Sequence, residues 1–293
     1  MKLPLRRVLH LSRCIALGGA LLLAHAMARE GVDVGAPSSF TRFVSADQVE
    51  RSAQQQYLQL RQQASSKNAL AADSHPQLRR LRAIAQRIIP FSYAWNPRAR
   101  DWNWEVNLIG SSQVNAFCMP GGKIAFYSGI LEKLQLSDAE VAMVMGHEMA
   151  HALREHARER MGKSMATQGA ARIGAAVVAG VFGIDPRLTD MAARGGANLL
   201  ALEFSREDES ESDLVGLELA ARAGFDPRAG ISLWQKMSAN NRGAPPQWLS
   251  THPAGKNRIA EMEKNMVKVL PLYERAHKPL LGLAVPRLNK SLD

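Results

Sequence analysis

The stretch VAMVMGHEMAHALREHARER, residues Val141 to Arg160, carries His147-Glu148-Met149-Ala150-His151, an H-E-x-x-H pattern on which the reading of every other segment depends. On an α-helix, residues four apart share a face, one turn and roughly 6 Å along the axis. Two imidazoles so placed converge on one zinc ion at about 2.0 to 2.1 Å each, while Glu148 reaches the water that completes the metal's coordination. Helix signals surround the motif: Ser137 and Glu140 form an S-x-x-E capping box, followed by apolar Val141, Val144 and Met145. A chance pair of histidines on a buried helix is the plain alternative, and context elsewhere in the chain decides between them.

Two histidines leave such a site incomplete. A metzincin would need Gly at 154 and His at 157, but the chain has Arg154 and Ala157, and His156 is one residue out of register. The better donor lies in Phe204-Ser205-Arg206-Glu207-Asp208-Glu209-Ser210-Glu211-Ser212-Asp213-Leu214-Val215-Gly216. An acidic run also suits a solvated helix face. Glu209 and Asp213 are four apart, however, so on one helix the first can ligate zinc while the second fixes a ligating imidazole from behind.

H-E-x-x-H, then Ser205-Arg206 with Glu209, Glu211 and Asp213, then Ser250-Thr251-His252-Pro253, resembles metallopeptidase family 48, the group of the CAAX prenyl proteases, HtpX and the periplasmic BepA and LoiP. Asn115-Ala116-Phe117 followed by Pro120-Gly121-Gly122 resembles the family's N-A-F-x-x-P-G-G, and the motifs together span roughly residues 75 to 260. The resemblance implies a gluzincin with one zinc per chain, ligands His147, His151 and Glu209, and Glu148 as catalytic base. Where the family has E-A-D, this chain has Glu211-Ser212-Asp213, a small-for-small change.

The 293 residues, 46% hydrophobic, suffice for one substantial core or a core with an accessory helical segment. Lys2, Arg6, Arg7 and Arg13 precede an apolar run from Ile15 to Met27 and the A-x-A site Ala26-Met27-Ala28, so residues 1–28 read as a secretory signal peptide cleaved near Ala28. Without those four, 33 basic residues face 27 acidic ones, a net of +6 rather than +10. That excess gives no argument for nucleic acid and leaves room for loose contact with anionic membrane surfaces. Arg13 keeps the first apolar run short of a bilayer span, and Ile173 to Ile184 is only 12 residues long, so no transmembrane helix is expected in the mature chain. Cys118 would be the one cysteine left after cleavage, and burial as a small hydrophobe suits it best.

The expected fold is α+β and predominantly helical, a gluzincin-type domain with a small sheet beside the H-E-x-x-H helix. Residues 29–75 form an N-terminal extension, with residues 29–40 poorly ordered and a helix from Asp47 to about Gln63 that is either packed decoration or a lid. The peptidase domain spans 76–270. It opens with a helix over Gln77–Ile89, then strands over Trp102–Leu108, Gln113–Phe117 and Lys123–Tyr127. Asn115, Ala116 and Phe117 read either as an ordinary strand end or as the edge on which an extended substrate is added. The Gly- and Ala-rich residues 162–202 read as a helical cover over the site, or as a contact for membrane or client protein. Further helices are expected over Glu203–Ala223 and from Asp226-Pro227 to about Met237, then a short one bearing Arg258, and a loose tail over 271–293. No tetratricopeptide-like repeat follows the catalytic region.

His252 and Arg258 are the candidates for stabilising the oxyanion. In relatives of the BepA type the histidine equivalent to His252 can instead take the open zinc position and hold the enzyme latent, so both roles stand. The function implied is an exported, periplasmic zinc endopeptidase acting on unfolded or misassembled envelope proteins. A zinc-bearing chaperone or assembly factor with latent proteolysis is the alternative.

Overall fold

A computed structural model of the chain describes residues 29–167, 199, 203–239, 247–252 and 257–277. The expected leader, most of the Gly- and Ala-rich stretch, Pro245-Pro246, Pro253 and the tail beyond 277 lie outside the described residues.

Helix α1, Ala46–Ser66, is capped by Ser45, whose side chain accepts from the Gln48 N–H, and α2, Pro76–Ser92, starts on Pro76 with His75 as N-cap. The apolar stripe of α2 is buried as its spacing requires, and the helix continues through Pro90 to Ser92, past the expected end. Three strands follow: β1, Glu105–Ile109; β2, Ala116–Met119; β3, Lys123–Tyr127. β1 lies parallel to β3 with Glu105 opposite Lys123, and β2 lies antiparallel to β3 with Ala116 opposite Phe126, in the order β1-β3-β2. The β2–β3 connection needs left-handed backbone at Gly121 and Gly122, φ 85° and 78°, conformations that glycine adopts without steric cost.

Polar alternation along the first strand suggests one wet face, but both faces of the sheet are covered. Val106, Leu108, Ala116, Cys118, Ile124 and Phe126 join the main core with α2, whereas Ile109, Met119 and Ala125 pack against Val49, Ala53 and Tyr57 of α1. Tyr57 donates its hydroxyl proton to the Ile124 carbonyl at 2.7 Å and accepts from Asn107 Nδ2 at 2.9 Å. α1 is thus built into the sheet's second face rather than poised over a cleft. Cys118 is buried, which pushes its thiol far above the ordinary cysteine range.

The short α3, Ser128–Leu134, leads into α4, Asp138–Leu153, which carries the H-E-x-x-H motif. The expected capping box at its start is present: Glu140 N–H donates to Ser137 Oγ and Ser137 N–H to Glu140 Oε2. α4 is buried along nearly its whole length. Glu155, at φ 60°, turns the chain before α5, residues 156–167. α6, Arg206–Arg222, is capped by Ser205 and Asp208 and buries Glu209, Ser212 and Asp213 rather than exposing an acidic face.

α4 and α6 cross where neither has a side chain. A Cβ on Gly146 would lie 2.9 Å from the Gly216 carbonyl oxygen, and one on Gly216 would lie 2.8 Å from the His147 nitrogen. α7 spans Ala229–Ala239, starting later than expected because Asp226 and Pro227 form tight turns in which the Ala229 and Gly230 N–H groups donate back to their carbonyls. α8 is Gln247–Thr251 and α9 is Arg258–Ala276.

Two expectations at the ends of the domain are corrected. The helix bearing Arg258 is long, and it runs through Pro271 into the supposed tail because Val269 and Leu272 are buried on its core-facing side. Within the stretch expected to be loose, Val32 is 2% exposed and its N–H donates to the buried carboxylate of Glu218 at 2.9 Å, so the chain is tied to α6 at that residue. No helix among the described residues is long and apolar enough to cross a membrane.

Candidate metal centre

One turn of α4 presents His147 and His151 on a single face, and the glycine crossing brings Glu209 of α6 against them. His151 Nε2 lies 3.1 Å from His147 Nε2, and the Glu209 carboxylate lies 3.5 Å from His147 Nε2 and 3.4 Å from His151 Nε2. His252, just after α8, adds its Nδ1 at 3.3 Å from His147 Nε2 and 2.9 Å from Glu209 Oε1. The four residues are buried, and their donor atoms all lie within 4.8 Å of one another.

These separations test whether a metal fits. Donors about 2.1 Å from a tetrahedral zinc are about 3.4 Å from one another; the contacts above run from 2.9 to 3.5 Å, within a cluster no wider than 4.8 Å. Three imidazoles crowding one carboxylate with nitrogens facing inward is a poor hydrogen-bond network and a good ligand set for a cation. The surrounding charge is mixed. Burial lowers the basicity of His147, but Asp213 and Glu209 outweigh it and raise the imidazole to about 9. Burial alone would raise Glu209, and its contacts with His147 and His252 more than reverse this, holding it below the usual carboxylate range. Burial lowers His151 instead, so the shifts do not run one way, and it is the convergence of three imidazoles and one carboxylate that fits one zinc ion.

Behind the donors, Asp213 accepts at 3.0 Å from His147 Nδ1, four residues along α6 from Glu209. Arg258 stands differently from the expected oxyanion donor. Its guanidinium donates to Asp213 Oδ1 at 2.6 Å and to Glu209 Oε2 at 2.8 Å, with its carbon 3.8 Å from the Trp234 ring centroid. Arg258 is 4% exposed and is not among the residues that line the cleft. The reason is electrostatic: two buried carboxylates need a buried cation, and a planar fork satisfies both at once.

The cleft in front of the donors is lined by Asn115, Ala116 and Phe117 together with Glu148, His151 and His252. β2, which contains Ala116 and Phe117, is an edge strand of the sheet. Its approach is partly taken, since the Trp248 N–H donates to the Val114 carbonyl at 3.1 Å. Trp248 also donates its indole N–H to Glu148 Oε1 at 2.6 Å and stacks on His252 with ring centroids 4.9 Å apart. His252 Nε2 in turn lies 3.5 Å from Glu148.

Three residues at the site escaped sequence reasoning. Trp248 precedes Ser250-Thr251-His252 by two residues, and its place in that motif's neighbourhood was the available signal. Phe204, the first residue of the acidic stretch, stacks on His151 at 4.0 Å between centroids. His156 was set aside as a ligand, yet its Nδ1 lies 3.0 Å from His151 Nδ1. Burial drives the His156 imidazole down to about 3.

A helix carrying H-E-x-x-H, a buried glutamate from a second helix and a three-stranded sheet along the cleft define a gluzincin-type metallopeptidase fold. The chain belongs to peptidase family M48, whose model matches residues 75–266. It is similar to the mitochondrial metalloendopeptidase OMA1 of Arabidopsis thaliana, 38% identical over 183 residues covering 62% of this chain and 36% of the relative. The OMA1 of Schizosaccharomyces pombe is 31% identical over 223 residues, 75% of this chain and 62% of the relative. The beta-barrel assembly-enhancing protease of Escherichia coli is 26% identical over 170 residues, 56% of this chain and 35% of that protein. The chain thus spans less than two thirds of the length of each of these relatives.

Proposed function

We propose that this chain is an exported endopeptidase that cleaves misfolded or misassembled cell-envelope proteins, with His147, His151 and Glu209 as zinc ligands and Glu148 as the base. The convergence of these three ligands around one point beside Glu148 carries the reading. The Escherichia coli relative, named for β-barrel assembly, supports an envelope substrate, and the secretory leader read in residues 1–28 supports the periplasm. The OMA1 relatives, named as mitochondrial, share the catalytic region without fixing a compartment for this chain.

A zinc ion held by His147, His151 and Glu209 would supply Lewis acidity for the carbonyl and for water. Glu148 takes the proton from the attacking water at its carboxylate and passes it to the departing amine nitrogen. Asn115, Ala116 and Phe117 hold the substrate extended along the β2 edge. Asp213 orients His147, and Arg258 pairs with Glu209 and Asp213 and holds both carboxylates in place.

The contacts of α8 favour a latent state. His252 fills the fourth donor position, Trp248 holds an oxygen of Glu148, and the Trp248 backbone occupies Val114. This supports the second reading, a zinc-bearing assembly factor whose proteolysis is released only when α8 moves. Glu148→Gln separates the two: it should keep its zinc and lose casein hydrolysis. Full rescue of an envelope defect by that variant would favour the assembly factor, and casein cleavage at the wild-type rate would remove Glu148 from the mechanism.

A further inference from the structure

We propose that His156 is a positioning residue for the metal centre, accepting the Nδ1 proton of His151 and thereby holding His151 Nε2 toward the zinc; this rests on the ligand set proposed above. An imidazole that gives its Nε2 lone pair to a metal carries its proton on Nδ1, and that proton needs an acceptor. For His147 the acceptor is Asp213, at 3.0 Å. For His151 the nearest is His156 Nδ1, also at 3.0 Å and on a ring 1% exposed. Ser212 Oγ is the next neighbour of that nitrogen, at 3.4 Å.

Accepting at Nδ1 fixes the tautomer of His156, whose own proton then sits on Nε2. That nitrogen is buried without a hydrogen-bond partner among the described residues, and the nearest carboxylate oxygens are those of Glu211 at 3.6 Å and Asp208 at 4.0 Å. His156 thus stands behind His151 as Asp213 stands behind His147. Two features of the fold put His156 there. On a continuous helix a residue five positions after His151 would point about 140° away. α4 instead ends at Leu153, and the left-handed Glu155 starts α5 in a new direction.

Three variants test the assignment through zinc affinity, measured by competition with a chromogenic chelator, with the unfolding temperature of each zinc-free protein as control. Asparagine places its amide oxygen where histidine has Nδ1; glutamine places its own near Nε2. His156→Leu and His156→Gln are expected to bind zinc about 10- to 100-fold more weakly than wild type, and His156→Asn within about threefold of it, all three with zinc-free unfolding temperatures close to one another. Wild-type affinity in the Gln variant, or an Asn variant as weak as Gln, would overturn the role, and that pair decides even if the Leu variant does not fold. Wild type that binds zinc and cleaves casein while all variants match it refutes the positioning role alone. Wild type without zinc refutes the ligand set as well.

Discussion

Gly146 of α4 and Gly216 of α6 touch backbone to backbone, and this contact brings the carboxylate of Glu209 within 3.5 Å of the His147 and His151 imidazoles. A methyl group on Gly216 would sit 2.8 Å from the His147 nitrogen and 3.1 Å from the Gly146 carbonyl carbon, both backbone atoms that cannot swing aside. Gly216→Ala should therefore part the helices, costing about 1 to 3 kcal/mol and most of the bound zinc. Thermal unfolding of the zinc-free protein and elemental analysis check this, and a stable variant with full zinc would mean that the crossing yields easily.

Trp248→Phe keeps an aromatic ring to stack on His252 and removes the indole N–H from Glu148. A hydrogen bond to a charged group is worth about 1.5 to 3 kcal/mol. Losing it should free the carboxylate for the attacking water and raise casein hydrolysis by about tenfold or more at saturating zinc. A rate at or below wild type, in a variant that melts normally, would show that the indole does not restrain the base.

For Arg258 the expected loss is structural first. Arg258→Met leaves Glu209 and Asp213 as buried carboxylates without their shared cation, a change of about 3 to 5 kcal/mol that should appear in the zinc-free protein as lowered stability. Were Arg258 an oxyanion donor instead, unfolding would be nearly unchanged and kcat alone would fall. Chemical denaturation alongside steady-state kinetics distinguishes these outcomes.

Glu140 gives a pH test remote from the metal. Burial would raise its carboxyl, but hydrogen bonds from Lys236, Ser137 and Ser232 outweigh that and leave it lowered from 4.5. A lowered carboxyl binds its proton less readily when folded than when unfolded, so its stabilisation is full above about pH 4.5 and disappears as the pH falls further. Glu140→Gln should be less stable than wild type at pH 7, with the gap narrowing below pH 4.5 in zinc-free protein. A gap that stays constant with pH would mean that the cap acts through geometry alone.

Much of the site was legible because its parts are local. The capping box, the i, i+4 histidines and the Glu209–Asp213 pair each follow from helical periodicity, and the structure brings these side chains together around one cavity. The strands were legible in number and order but not in burial, and the second lies at Ala116–Met119 rather than Gln113–Phe117. Only the packing of α1 against the second sheet face explains why Asn107 and Ala125 are inside. The approach of His156 to His151 was not legible for a related reason: their separation along the chain has meaning only once the turn at Glu155 is known.

By itself the sequence determined the candidate donors His147, His151 and Glu209, the helices that carry them and the family, since those rest on residue type and short-range spacing. Tertiary structure decided the direction of Arg258, the occupation of Glu148 by Trp248, the entry of His252 into the donor cluster and the approach of His156 to His151. Each of these depends on how separate helices meet, which is set by close packing across the glycine crossing and around the turn at Glu155, and one-dimensional periodicity does not encode it.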